Sequence, residues 1–174
     1  MLFRSSDGKW MLGPTLAELG AAVERDSRLR RISIRPLMDL AFATGALTAL
    51  SVEDGPQTRV VEVLPGTRRL AFEPKPGMAW KYGESVAGLD IDRLAVTRAL
   101  VQARIGDVKP VVDPGAGHPA VCCIAAPLPS KAGHCAAIWL MLPGGDRVPN
   151  AAVTATQRTA HRITAAMART FPDL

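Results

Sequence analysis

The chain has 174 residues, 48% of them hydrophobic, and a formal net charge of +5, enough for one domain with a sizeable core and a small appendage. No apolar stretch approaches the roughly 20 residues a bilayer demands, and Arg4, Asp7 and Lys9 interrupt any signal-peptide core, so the sequence reads as cytoplasmic with no membrane partner. Three cysteines, two of them adjacent (Cys122 and Cys123), argue against a disulfide framework, and dispersed arginines without interleaved aromatics argue against a platform for single-stranded nucleic acid.

In chain order, Asp7-Gly8 between two short apolar-containing runs predicts a tight hairpin over the first 12 residues. Gly13-Pro14-Thr15 breaks it. Leu16, Leu19, Gly20 and Val23 then recur at helical spacing to about Ser27, and a second helix is predicted from roughly Arg28 to Thr44. Its stripe is Leu29, Ile32, Leu37, Leu40 and Ala41, with Pro36 kinking or restarting it and Gly45 ending it. Strands over 46–52 and 58–64 flank the turn Glu53 to Pro56, and 69–72 suggests a third short strand. A rigid loop over 73–77 leads into a short helix around Met78 to Tyr82. Asp92 is placed as N-cap of a helix ending near Arg104.

The stretch from Val108 to Leu142 is the most apolar, with strands expected at 111–112, 120–127 and 136–142. The last two are nearly continuous apolar runs, the signature of central strands covered on both faces, joined by a segment short enough for a hairpin. A final helix over 150–170 carries Ala152, Val153, Ala160, Ile163, Ala166 and Met167 as its packing stripe. The sum is an α+β domain with an antiparallel central sheet flanked by helices.

The run Trp10 to Gly20 (WMLGPTLAELG), the segment from Arg35-Pro36 to Gly45, and Cys122 to Pro127 (CCIAAP) followed by Gly133 and Ala136-Ala137 resemble, in that order and spacing, the IclR-type regulators. The resemblance spans nearly the whole chain. It implies a GAF-like, profilin-like effector-binding domain over 28–174, a linker and dimerisation helix over 14–27, and over 1–13 the remnant of a winged-helix wing. The implied partners are a small-molecule effector and further copies of the chain, as dimer or tetramer. A winged-helix unit needs about three helices before its wing, so DNA is an expected partner only if such a unit is present upstream.

The resemblance also carries residue positions. Members that sense small acids line the pocket with an Asp before the central hairpin, a Cys opening its first strand, two polar residues on its second strand, and backbone amides near a Gly-containing loop. These fall on Asp113, Cys123, Trp139 and Met141, with Gly77 and Met78 as backbone contributors. Trp139 and Met141 lie two apart on one strand and Cys123 on its partner, so one face collects all three. Trp139 and Met141 depart from the hydroxyls that hold small carboxylates, since Trp offers one N–H and Met essentially none, so the implied effector is larger, apolar or aromatic. The alternative is that Trp139 fills the pocket itself.

Chemistry finds little support. Cys123 as a nucleophile, with His118, His134 or His161 as base, has no motif behind it, and buried structural thiols are the ordinary case. Cys122, Cys123, Cys135 and the histidines show no metal-ligand spacing, Gly115-Ala-Gly117 lacks the residues of a phosphate loop, and no cofactor is implied. Glu18, Glu24, Asp26 and Asp39 lie among arginines at helical intervals, as surface ion pairs do. Asp113, before Pro114-Gly115, is also a standard turn residue. The expectation is an effector-binding domain and not an enzyme; the competing reading is a stand-alone GAF-like dimerisation module without effector or DNA binding.

Overall fold

Side-chain alternation along two long apolar strands organises the molecule. A computed structural model describes residues 2–4, 10–12, 14–70, 72–86, 89–90, 93–129, 135–144 and 148–170. In order these form β1 (Leu2–Arg4), β2 (Trp10–Leu12), α1 (Pro14–Thr44), β3 (Leu47–Asp54), β4 (Gln57–Leu64), β5 (Ala79–Lys81), β6 (Ser85–Val86), β7 (Leu89–Asp90), α2 (Ala95–Arg104), β8 (Val111–Asp113), β9 (Val121–Leu128), β10 (Ala136–Pro143) and α3 (Asn150–Thr170). The fold is α+β and GAF-like: a six-stranded antiparallel sheet in the order β5-β4-β3-β10-β9-β8, with helices on both faces.

Cys122, Ile124, Ala126 and Leu128 of β9, with Ala136, Ile138, Leu140 and Leu142 of β10, face one core shared with Leu29, Leu37 and Leu40 of α1 and Ala160, Ile163 and Met167 of α3. The residues between them, Cys123, Ala125, Ala137, Trp139 and Met141, face a second core with Val96, Ala99 and Leu100 of α2. A period of two thus assigns neighbours to opposite layers, and both strands are buried because each layer is covered.

The opening hairpin forms, pairing Leu2 with Leu12 and Arg4 with Trp10; its predicted Asp7-Gly8 turn lies outside the described residues. Several expectations are corrected. The two helices predicted between Pro14 and Thr44 are one helix of 31 residues that runs through Pro36. Proline removes one backbone donor, but Ser33, Leu37 and Leu40 around it are all buried, and that packing outweighs a single lost hydrogen bond. Arg59 reaches Asp26 at 2.6 Å and Asp54 at 2.8 Å, and Arg162 reaches Asp39 at 3.1 Å, tying α1 to the β3–β4 hairpin and to α3. Gly45 ends α1 with φ +65° and donates its N–H to the Ala41 carbonyl at 2.8 Å, the left-handed C-terminal stop.

The expected helix at Met78 to Tyr82 is instead β5, an edge strand pairing Trp80 with Thr58. The third strand suggested at 69–72 is absent from the described part of that segment. Helix α2 starts later than Asp92, with Leu94 at its N-cap and no side-chain capping bond. Among the described residues no helix is long and apolar enough to cross a membrane.

Candidate ligand site

The sheet face beneath α2 carries the predicted residues. Asp113 of β8 is the register partner of Cys123 in β9, and Cys123 is the partner of Met141 in β10. Trp139, opposite Ala125, sits one diagonal away on the same face. Asp113, Cys123, Trp139 and Met141 therefore lie on one face of the sheet, and each is at most 2% exposed. Gly77 and Met78 lie near the opposite edge, beside Val60 of β4, and Met78 packs onto the same core. The six residues share one face but span it from edge to edge.

Their polar groups are already engaged. One Asp113 carboxylate oxygen accepts the amides of Gly115 at 2.9 Å and Ala116 at 2.5 Å, and the other accepts Gly117 at 3.0 Å. Asp113 is thus the organiser of its own loop, the turn role its sequence context also suggested. A Cβ at Gly117 would stand 2.8 Å from that carboxylate and 2.7 Å from a Leu94 methyl, so any larger residue there would push both side chains aside. Gly77 donates its amide to the Val60 carbonyl at 2.9 Å, and Met78 to that of Lys75 at 3.1 Å.

Cys123 is enclosed. Burial pushes its thiol well above the usual range, the Asp113 carboxylate and Cys122 add to the rise, and the facing amides of Val96 and Ala95 only partly offset it. Such a thiol stays protonated at neutral pH and is a poor nucleophile. Of the histidines proposed as its base, His118 uses Nδ1 to accept the Ala120 amide at 3.1 Å, His161 is exposed on α3, and His134 lies outside the described residues. Among the described residues no three His, Cys, Asp or Glu groups are placed to hold a metal ion.

Trp139 donates its indole N–H to Ser51 Oγ at 3.0 Å and meets Trp80 edge to face, ring centroids 6.5 Å apart; Phe72 in turn packs against Trp80 at 6.1 Å. These aromatics cover the part of the face that α2 leaves open. A polar cluster joins β3, the turn after β5 and α2: Tyr82 donates its hydroxyl to Glu53 at 3.0 Å, and Arg104 of α2 clamps the same carboxylate, with Nε at 2.8 Å. Burial raises the Glu53 carboxyl, but the bonds from Arg104 and Tyr82 outweigh it and hold the group below its ordinary 4.5. Burial, then the Glu53 carboxylate, push the Tyr82 phenol up to about 12.

Sequence reasoning did not single out Trp80, Thr97 or Gln102. Their side chains are buried beside this cluster with polar atoms Trp80 Nε1, Thr97 Oγ1 and Gln102 Oε1 unpaired. Next to it a groove of about 510 Å³ is lined by Tyr82, Thr97, Arg98, Val101 and Gln102.

The candidate site is thus the aromatic, partly polar face that a GAF-like sheet turns toward one helix. No family model matches the sequence, and neither does any curated protein. Solved structures similar to the chain are IclR-family transcriptional regulators, matched over most of its length. They include the IclR protein of Thermotoga maritima (TM-score 0.66, 16% identity, 95% of this chain and 79% of that one). Another is an IclR homolog of Microbacterium hydrocarbonoxydans complexed with 4-hydroxybenzoate (TM-score 0.66, 20% identity, 97% and 80%). A third is an IclR family regulator of Brucella abortus (TM-score 0.63, 16% identity, 95% and 74%). At these identities the fold is what is shared.

Proposed function

We propose that this chain is the ligand-sensing and self-associating part of an IclR-type bacterial transcriptional regulator, working in the cytoplasm. The observation that carries the reading is the likeness to IclR structures along 95–97% of the chain, from the opening hairpin through α3. In this reading residues 1–13 are the wing of a winged-helix unit, 14–27 the linker and dimerisation part of α1, and 28–174 the effector domain. DNA is a partner in this reading only if a winged-helix unit is present upstream.

The effector site is the α2-facing side of the sheet. Cys123, Trp139 and Met141 form its floor, Asp113 shapes the loop at one end, and Gly77 and Met78 frame the other. Trp139 and Met141, with Trp80 packed edge to face on Trp139, favour an aromatic effector, in keeping with the 4-hydroxybenzoate complexed with the Microbacterium homolog. Because α1 is one rod running from the wing to the effector domain, a ligand that favours one packing of the domain shifts the orientation of whatever precedes the rod.

The test is thermal unfolding of the chain with 4-hydroxybenzoate and a panel of small aromatic and aliphatic acids, amides and alcohols. A ligand that binds only the folded state raises Tm progressively with concentration. Absence of any response across the panel would contradict the reading. Self-association is tested by sedimentation: Val23 on the first half of α1 is 65% exposed, and a dimer is expected at micromolar concentration, against which a uniform monomer would count. The second reading, a dimerisation module without effector, is favoured by one observation, the near-complete burial of Asp113, Cys123, Trp139 and Met141.

A further inference from the structure

Trp80 of β5 is buried in the α2-facing core, and Tyr82, in the turn just after β5, lines a groove with residues of α2. Between Tyr82 and α2 opens the groove of about 510 Å³, within the size range of small-molecule sites. On α2, Thr97 and Val101 stand one turn apart, as do Arg98 and Gln102, so the helix presents two adjacent rows to it.

Two of the groove's lining residues carry unpaired buried atoms, Thr97 Oγ1 and Gln102 Oε1. Thr97 is only 5% exposed. An unpaired buried polar atom is costly, and two on one groove wall call for a common partner. Arg98 at the rim is exposed and has no ion pair among the described residues. Val101 is 48% exposed and offers an apolar wall opposite the Tyr82 ring, which the Glu53 and Arg104 clamp holds in place.

We propose that this groove is the effector's recognition end and takes a small carboxylic acid with a flat apolar body and an N–H or O–H donor. The carboxylate is met by the Arg98 guanidinium and the Thr97 hydroxyl, the donor by Gln102 Oε1, and the ring by Tyr82 and Val101. The inference rests on the effector-domain reading but moves recognition from Asp113 and the Gly77–Met78 amides, whose bonding capacity is already used, to the α2–β5 seam.

Calorimetric titration with benzoate and 4-aminobenzoate tests it on the wild type, Thr97→Val, Thr97→Ser, Arg98→Gln and Gln102→Met. The wild type should bind both acids, 4-aminobenzoate about tenfold tighter because its amine reaches Gln102. Gln102→Met should erase that preference, and Arg98→Gln should weaken both acids by about tenfold or more. Thr97→Val should weaken both while leaving the ligand-free Tm unchanged or higher, since it removes an unpaired buried hydroxyl, and Thr97→Ser should restore affinity. Equal affinities across all five proteins would overturn the groove and leave the effector reading standing. No binding of either acid by the wild type overturns the groove as well; the effector reading falls with it only if the wider panel also gives no response.

Discussion

The two faces of the central sheet are built from the same two strands yet differ in kind. Toward α1 and α3 the layer is aliphatic: Leu37, Leu40, Leu50, Ile124, Ile138, Leu140 and Ile163 are completely or almost completely buried. Two of its buried hydroxyls bond to nearby helix carbonyls, Thr48 to Leu37 at 3.3 Å and Thr156 to Ala152 at 2.8 Å, while Ser33 Oγ is unpaired. Toward α2 the layer holds two tryptophans, a buried carboxylate, a buried thiol and several unpaired polar atoms. A layer that serves only stability has no reason to bury polar atoms unpaired, because each costs free energy that an apolar side chain would not. One face is aliphatic scaffold, and the other is the one proposed to recognise ligand.

Adjacent residues of β10 allow the sharpest contrast. Trp139→Ser removes a large buried aromatic from the α2 layer and should cost roughly 3–5 kcal/mol in urea denaturation, while opening space beside Trp80 and altering which acids raise Tm. Ile138→Ala, one residue away in the opposite layer, should cost about 2–5 kcal/mol and leave the ranking of ligands as it was. If both substitutions changed ligand preference equally, the division of labour between the faces would be lost.

A smaller effect is expected at Asp113. Asp113→Asn keeps the size of the side chain but replaces an acceptor oxygen with a donor facing backbone amides, at a cost of about 1–3 kcal/mol. Chemical denaturation should register that loss, and ligand affinity should change little if Asp113 serves its loop alone.

The polar cluster at the seam makes predictions in pH. The Glu53 carboxyl is held below its ordinary 4.5, so the stability it adds is present above that value and disappears as pH falls through the lower value it has in the fold. Tyr82 is raised to about 12, so its contribution is intact below the ordinary 10 and is lost as pH rises from 10 to 12. The chain has a single tyrosine, which makes phenolate absorbance a clean reporter. Its midpoint should lie near 12 in the native protein and return toward 10 in denaturant, and Glu53→Gln should lower the native value. A native midpoint near 10 would mean that the Tyr82–Glu53 contact does not form.

Much of the fold was legible in the sequence because its largest elements carry unambiguous periods. The apolar runs that became β9 and β10, and the stripe along Asn150–Thr170, define their structures almost to the residue. The short edge strand Ala79–Lys81 was not legible, since three residues fit either period and its strand identity comes from pairing with β4. α1 read as two helices because the apolar stripe lapses in the charged stretch after Val23, from Glu24 to Ser27, whereas tertiary packing on α3 and the sheet carries the helix through. The site was half legible. Resemblance located Cys123, Trp139 and Met141 on one face, but it could not reveal that the amides of Gly77 and Met78 and the carboxylate of Asp113 are spent on their own loops. Thr97 and Gln102 gave no signal, because a threonine and a glutamine on an amphipathic helix look the same in sequence whether they face water or a seam.

The claim that one face of the sheet recognises ligand while the other supports it is tested most directly by amide hydrogen exchange with and without a saturating aromatic acid. The account predicts added protection in α2, in β5 through Tyr82, and in the strand backbone beneath them, with α3 and the second half of α1 unchanged. Protection concentrated in α1 and α3, or spread evenly over both layers, would contradict it.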